Sequence, residues 1–407
     1  GIHHSKINLR GRPTSKVNFG VVYPLSDLFH LKLNYIKGHT LSFGFSFHSN
    51  FGKKDPLIPK NDRQKPVKNS KIVKLVTAQN DSFLHRANLL ELNPKNMPLQ
   101  NAAVEGDKLK VIVTQSPHKS WVRFTGRVLT ILDEVAPPKI KTFEVANTNG
   151  GMPMYKLTID REQFSKYKDD NLYGLALKNV KLEEFVYNPL EYDFNPTIKY
   201  PFLNWKIRPQ FTQQVGGPDG FFFGNLRLGL KGEFALRKGT SITIDLSQGI
   251  IDNFDALKLE SDSVLPHVRT DVVRYIKAGR HNHMTNFQID SFFKPRDSVY
   301  AKLTAGYVET MFGAVGGEIL YRPFHKNYAI GAELWHAKQR AYDQRFGFRD
   351  YETLTGYVNF YYQEPRTRVL LALRGGRFLA KDSGINFDIS RRFKSGLKMG
   401  IFFSRTD

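Results

Sequence analysis

His267, Arg269 and Asp271 recur at every second position, which puts an imidazole, a cation and a carboxylate on one face of any strand they form. Such a trio could move a proton, but alternation alone would bring the three types together, so the spacing does not separate catalysis from an ordinary polar face. His281-Asn282-His283 could set two imidazoles on one strand face, yet no third ligand is implied and no metal site is assigned. Glu309, Glu318 and Asp350 are carboxylates that a glycan hydrolase or lyase could use as acid and base, at a separation no sequence displays. Gly216-Gly217-Pro218-Asp219-Gly220 reads as a turn without the Lys-Ser/Thr of a phosphate loop, and no Gly-x-Ser-x-Gly motif occurs. With no Cys, the chain has no disulfide, thiolate zinc site or Cys nucleophile. No cofactor is implied.

A larger set of charges follows a different pattern. From about residue 200 onward, apolar residues alternate with polar ones almost without interruption. Leu203, Trp205 and Ile207 begin the series, Leu226, Leu228 and Leu230 continue it, and Leu397, Met399, Ile401 and Phe403 end it. The opposite faces carry Arg227, Lys231, Glu233, Lys302, Glu318, Arg322, Glu333, Arg374 and Asp388. About a dozen such strands of roughly ten residues match the length a tilted strand needs to cross a bilayer. A soluble barrel would turn the apolar face inward; a membrane barrel turns it to lipid and fills the lumen with charge and water. A lumen of this many strands is too wide for Leu and Ile alone to fill, which favours the membrane form. Trp205, Tyr307, Tyr321, Tyr328, Trp335 and Tyr362 would then suit interfacial girdles. The charged set either pairs across neighbouring strands and braces the lumen or lines a path for an extended hydroxyl-rich or anionic polymer. Asp343, Arg345, Arg349 and Asp350 read as an ion-paired loop lock, with a sugar or phosphate contact as the other reading.

These residues need elements to hold them. Residues 1–50 alternate strictly, as in Leu41, Phe43, Phe45 and Phe47 separated by Ser42, Gly44 and Ser46, and read as terminal strands of a preceding, incomplete barrel. Residues 51–75 form a basic, Pro-containing linker. Residues 76–195 read as a small α+β domain. Ser120 caps a helix bearing Trp121, Phe124, Val128, Leu132 and Val135 and ended by Pro137-Pro138; Asn149-Gly150 turns a hairpin; Asp160 caps a further short helix. Residues 196–407 form the main barrel. The fold class expected is mainly β, a transmembrane antiparallel barrel of about 12 strands plus the α+β domain.

The 407 residues carry Lys+Arg 60 against Asp+Glu 38, a net charge of +22, with 41% hydrophobic content. Wholesale disorder is excluded by that content, and membrane-spanning helices by the lack of long apolar runs. The charge is spread along the chain apart from the linker, and no recognition motif accompanies it, so no nucleic-acid partner is expected.

Several blocks resemble the YjbH/GfcD family of exopolysaccharide-biosynthesis outer-membrane proteins. They are Leu265-Pro266-His267-Val268-Arg269-Thr270-Asp271-Val272, the run from Leu303 through Gly306, Tyr307, Glu309 and Phe312 to Glu318, Asp343 to Tyr351, and Gly375 to Phe393. Gly126-Arg127-Val128-Leu129 and Gly151-Met152-Pro153 are similar in the α+β region. The resemblance implies a non-enzymatic component of capsule or exopolysaccharide assembly or export in a Gram-negative outer membrane, with the α+β domain periplasmic. Its implied partners are outer-membrane lipid and lipopolysaccharide, polysaccharide, and other export proteins. Family members look longer at the front and usually continue past Asp407 with a closing strand, so the chain is expected to be a fragment, with a barrel completed by another chain as the alternative.

Overall fold

The computed structural model describes residues 17–26, 29–36, 38–47, 80–114, 120–168, 172–196, 200–215, 219–393 and 397–407. The basic segment 51–75 and positions 216–218 of the glycine-rich turn lie outside them. The chain divides into two compact units, Gly1–Lys65 and Pro66–Asp407. In the first, β1 (Phe19–Ser26), β2 (Phe29–Ile36) and β3 (Thr40–Phe47) pair antiparallel in sequence order. Leu41, Phe43 and Phe45 point to the open face while Ser42, Gly44 and Ser46 are the sheltered ones.

The second unit holds two sheets. The smaller combines α1 (Asp81–Leu92), β4 (Leu99–Glu105), β5 (Lys108–Thr114), α2 (Trp121–Val135), β6 (Thr142–Asn149), β7 (Met152–Asp160), α3 (Arg161–Lys168), α4 (Tyr173–Ala176) and β8 (Leu182–Glu184), with strand order β4-β5-β6-β7-β8. Only β5 and β6 run parallel, and α2 is the crossover that joins them. Ser120 Oγ accepts from Arg123 N at 3.4 Å, and the helix stops before Pro137, which has no N–H to offer it. The carbonyls left at that end are collected by Arg161, which donates to Asp133 O (2.8 Å), Ala136 O (3.2 Å) and Pro137 O (2.9 Å) and also binds the Asp133 carboxylate at 2.7 Å. Phe124, Val128 and Leu132 are fully buried against the sheet.

The larger sheet contains β9 (Phe202–Val215), β10 (Phe222–Arg237), β11 (Thr240–Asp252), α5 (Val272–Ala278) in the connection that follows, then β12 (Asn282–Arg296), β13 (Val299–Tyr307), β14 (Phe312–Tyr321), β15 (Tyr328–Arg340), β16 (Phe348–Gln363), β17 (Val369–Arg377), β18 (Ser383–Arg392) and β19 (Lys398–Thr406). Each strand pairs antiparallel with the next, and β9 and β19 are the edges. The observed sheet therefore has 11 strands where about a dozen were expected.

Its two faces are inverted relative to a water-soluble core. Leu203, Ile207, Leu303, Leu334, Val358 and Ile401 are 54–72% exposed, whereas Asn225, Arg227, Thr304, Thr355, Asn359 and Ser390 are at most 7% exposed. Where Asp245 and Leu246 pair with Asn286 and Met284, Thr285 is the extra residue of a bulge, so Met284 and Phe287, three residues apart, share one face. Two readings of the alternation need correction. His267, Arg269 and Asp271 are not on a strand at all. The segment turns through Val268 N to Pro266 O (2.8 Å) and Val272 N to Arg269 O (3.2 Å), and Asp271 sits at the cap position of α5. Trp335 is no girdle residue: it shares the polar face with Glu333 and donates its indole N–H to that carboxylate at 2.9 Å.

The sheet's two rims differ. One has short connections such as 238–239, 297–298 and 322–327; the other carries the long 253–281 segment and the 341–347 loop. The α+β module docks on the short-turn rim. Glu184 binds Lys294 at 2.8 Å and accepts from Ser298 N at 2.8 Å, Lys238 lies over the Tyr187 ring at 4.8 Å, and Phe324 packs against the module's core. Two hairpin turns meet there: Gly151 (φ +77) approaches Gly239 (φ +80) so closely that a Cβ on Gly151 would lie 2.7 Å from the Gly239 nitrogen. The 76–195 and 196–407 regions thus form one compact unit.

Candidate functional site: the polar face and its capped rim

Pleating sends every second side chain of the larger sheet to its polar face, and neighbouring strands bring those side chains within bonding reach. Lys302 pairs with Asp290 at 3.3 Å, and the same carboxylate accepts from Thr304 and Gln288, each at 2.6 Å. Glu333 gathers Trp335, Asn359 (3.0 Å) and Arg374 (3.3 Å), while Arg374 also donates to Asn359 at 3.0 Å and lies over the Tyr357 ring at 4.9 Å. Of the charges singled out in the sequence, Lys302, Glu333 and Arg374 thus join cross-strand networks of mixed sign. Arg227 is buried and donates to Gly279 O and toward His283 Nδ1, both at 2.5 Å. Glu318 lies in register between Lys302 and Glu333, Lys231 lies beside Asp245, and Asp388 stands half-buried opposite Ala372. Glu233, opposite Thr243, and Arg322, just past β14, are exposed.

One end of this face is capped by the 253–281 segment. Tyr275 of α5 packs with Met311, Phe312 and Ala337, and Phe254 and Leu257 pack with Phe223. Charged contacts anchor the cap. The Asp271 carboxylate, nearly fully buried, receives His267 Nδ1 at 2.7 Å, Tyr342 OH at 2.7 Å and Arg349 at 3.1 Å. His267 Nε2 meets Ser263 O at 2.7 Å, so both ring nitrogens face acceptors and the doubly protonated imidazolium satisfies both. The Asp271 hydrogen bond and the Ser263 carbonyl raise the His267 pKa above its ordinary value. Burial pushes Asp271 up, but hydrogen bonds from His267, Tyr342 and Arg349 outweigh it and hold the carboxyl below its ordinary value. Arg274 adds a bond to Glu260 at 2.6 Å, and Arg269 binds both oxygens of Glu309 through one nitrogen, at 2.8 and 2.7 Å.

The expected loop lock is replaced by a different one. Among the described residues no ion pair joins Asp343, Arg345, Arg349 and Asp350 to one another; Asp343 accepts only the backbone N–H of Arg345, at 3.2 Å. Arg349 reaches Asp271 instead. The centre of the lock is Arg340, which the sequence reading passed over. Fully buried, it donates to the carbonyls of Glu309 (2.6 Å), Thr285 (3.3 Å), Met284 (2.7 Å), Gln344 (2.7 Å) and Arg345 (3.2 Å). An Arg at the loop end of an otherwise apolar-and-polar strand was its only signal.

Beneath the cap a recess of about 430 Å³ opens on the polar face. Trp335, Tyr357 and Phe312 supply aromatic surface, and Gln288, Lys302 and Thr355 supply donors and acceptors. Flat apolar rings beside fixed polar groups suit a ligand with both a hydrocarbon face and hydroxyls. Among the described residues no cluster of three or more His, Asp or Glu side chains could hold a metal ion, and His281 and His283 are separated by the start of β12.

An antiparallel sheet with an exposed apolar face, a braced polar face and a loop folded onto one end defines the fold class of this β-protein. The chain belongs to the YjbH family: the family model, described as exopolysaccharide biosynthesis protein YbjH, matches residues 3–407. It is similar to the uncharacterized lipoprotein YjbH of Escherichia coli (strain K12), with 28% identity over 407 aligned residues covering 97% of this chain and 56% of the relative. The chain therefore spans about half the length of that curated relative. No solved structure matches.

Proposed function

We propose that this chain forms an outer-membrane β-barrel portion of an exopolysaccharide assembly or export protein, acting without catalysis. The observation that carries the reading is the inverted polarity of the larger sheet, whose many exposed side chains include Leu, Ile, Val and Phe while its buried ones include Arg, Asn, Thr and Ser. Its strands run from 9 to 16 residues, enough to span a hydrocarbon core. In lipid the free edges of β9 and β19 would each need a partner, which argues for closure with one another or through further strands. Short turns face the periplasm in bacterial barrels and long loops face outward, so the rim that docks the α+β module supports a periplasmic module. The polysaccharide connection is supported by the family, and the recess with Trp335 and Tyr357 is the surface we assign to the polymer.

Replacing Trp335 and Tyr357 together by Ala in a producing strain tests the assignment. Secreted polymer is expected to fall several-fold while the protein's amount and membrane fractionation stay unchanged; full secretion at normal protein levels would reject that surface as the polymer contact.

A further inference from the structure

The exposed face of the larger sheet carries a second recess, of about 410 Å³. Its floor is a row of apolar side chains in register across four strands: Ile207 opposite Leu230, Leu230 opposite Leu246, and Leu246 opposite Met284. One step nearer the capped rim stand Leu228, Gln248 and Asn282. The roof comes from far away in sequence. The 341–347 loop passes over the β13–β14 hairpin, and the backbone of Gln344 receives Met284 N at 3.2 Å. This sets Arg345 and Phe346 over the groove. Phe346 is fixed edge-on to Phe287 and Tyr307, with ring centroids 6.5 and 6.0 Å away, and its carbonyl accepts from Tyr307 OH at 2.6 Å.

Arg345 is the odd element in this apolar setting. Its guanidinium donates to Asn282 at 3.1 Å, and among the described residues no carboxylate pairs with it. A hydrocarbon-lined groove with an uncompensated guanidinium at its lip is complementary to an amphiphile, an acyl chain ending in an anionic head. The lip lies at the rim opposite the α+β module, which under the proposed orientation is the level of the outer-leaflet head groups. We infer that this groove binds an acyl chain of a phosphorylated outer-leaflet glycolipid, with a phosphate on Arg345. The inference rests on the membrane placement proposed above.

The test uses the protein purified from native outer membranes in mild detergent, with co-purifying lipid extracted and quantified by mass spectrometry. Two variants are compared with the parent: Arg345→Glu, which reverses the lip charge, and Leu230→Trp, which fills the floor. Loss of one charge-assisted contact predicts a fall of about tenfold in retained phosphoglycolipid for Arg345→Glu, and Leu230→Trp is expected to lower it as well. Equal retention in all three proteins, retention of glycerophospholipid instead, or a parent that retains no lipid would each overturn the inference. Release of the protein from membranes without detergent would overturn the membrane placement itself. Membrane-bound protein with unchanged glycolipid in both variants would refute the groove alone.

Discussion

Arg340 shows how one side chain can hold several segments at once. Its bonds reach β12, the 308–311 turn and the 341–347 loop, so removing the guanidinium strands carbonyls from three parts of the rim without donors. Arg340→Met should lower stability on the order of 3 kcal/mol, read as an earlier unfolding midpoint in detergent. Arg340→Lys should rescue little, because a single ammonium cannot reproduce the planar fork. The Asp271 cluster predicts a pH dependence. His267 has a folded-state pKa raised mainly by the bond it donates to Asp271, so its contribution is complete below the ordinary histidine value and lost as pH rises through the raised one. Asp271, held low, contributes above the ordinary carboxyl range and loses that contribution as pH falls through its depressed value. Limited proteolysis of the 253–281 segment should therefore be slowest in mildly acidic buffer and accelerate on the alkaline side. Asp271→Asn should abolish that alkaline change; an unaltered profile in the variant would show that the cluster does not hold the cap. The partners of Asp271 stood hidden in the sequence because Tyr342 and Arg349 lie 71 and 78 positions away.

At the level of elements, the join between module and sheet depends on Glu184 and on two glycine turns. Burial alone would raise the Glu184 pKa, but Lys294 and Ser298 overcome it and hold it below the ordinary glutamate value. Its contribution is thus present at neutral pH and lost as pH falls through that depressed value. Hydrogen exchange in β8 and the 297–298 turn should rise in acid, and Glu184→Gln should raise it already at neutral pH. Gly151→Ala should cost about 1–2 kcal/mol, from the left-handed backbone and the contact with Gly239, and should increase exchange at the same join. Elements of the α+β module were legible in the sequence wherever their signals are local. Ser120, Pro137 and the Asn149-Gly150 turn act within a few residues of themselves, and Asp160 accepts from Gln163 N at 2.9 Å as its spacing implied. The phase of β12 was not legible, because it depends on a bulge that forms in its pairing with β11.

For the whole molecule, the two tryptophans of the larger sheet give a direct reading of sidedness. Trp205 is 59% exposed on the apolar face, and Trp335 lies on the polar face bonded to Glu333. In single-tryptophan versions placed in lipid discs, brominated acyl chains should quench Trp205 strongly and Trp335 weakly. Equal quenching would remove the basis for a lipid-facing surface. On the same logic Leu303→Arg, at an outward position, should cost about 2–4 kcal/mol if it lies near the bilayer midplane.

The sequence by itself determined that this chain is built of long antiparallel strands joined mostly to their neighbours, with one small α+β insertion, because period-two alternation, turn residues and helix caps act over a few positions. Only the tertiary structure decided which of the two alternating faces is open and which is sheltered, since alternation is symmetric between them. It alone also folded the 253–281 segment onto the polar face and set Arg340 at the centre of the rim. Those arrangements join groups dozens of residues apart, and packing rather than local periodicity selects such partners.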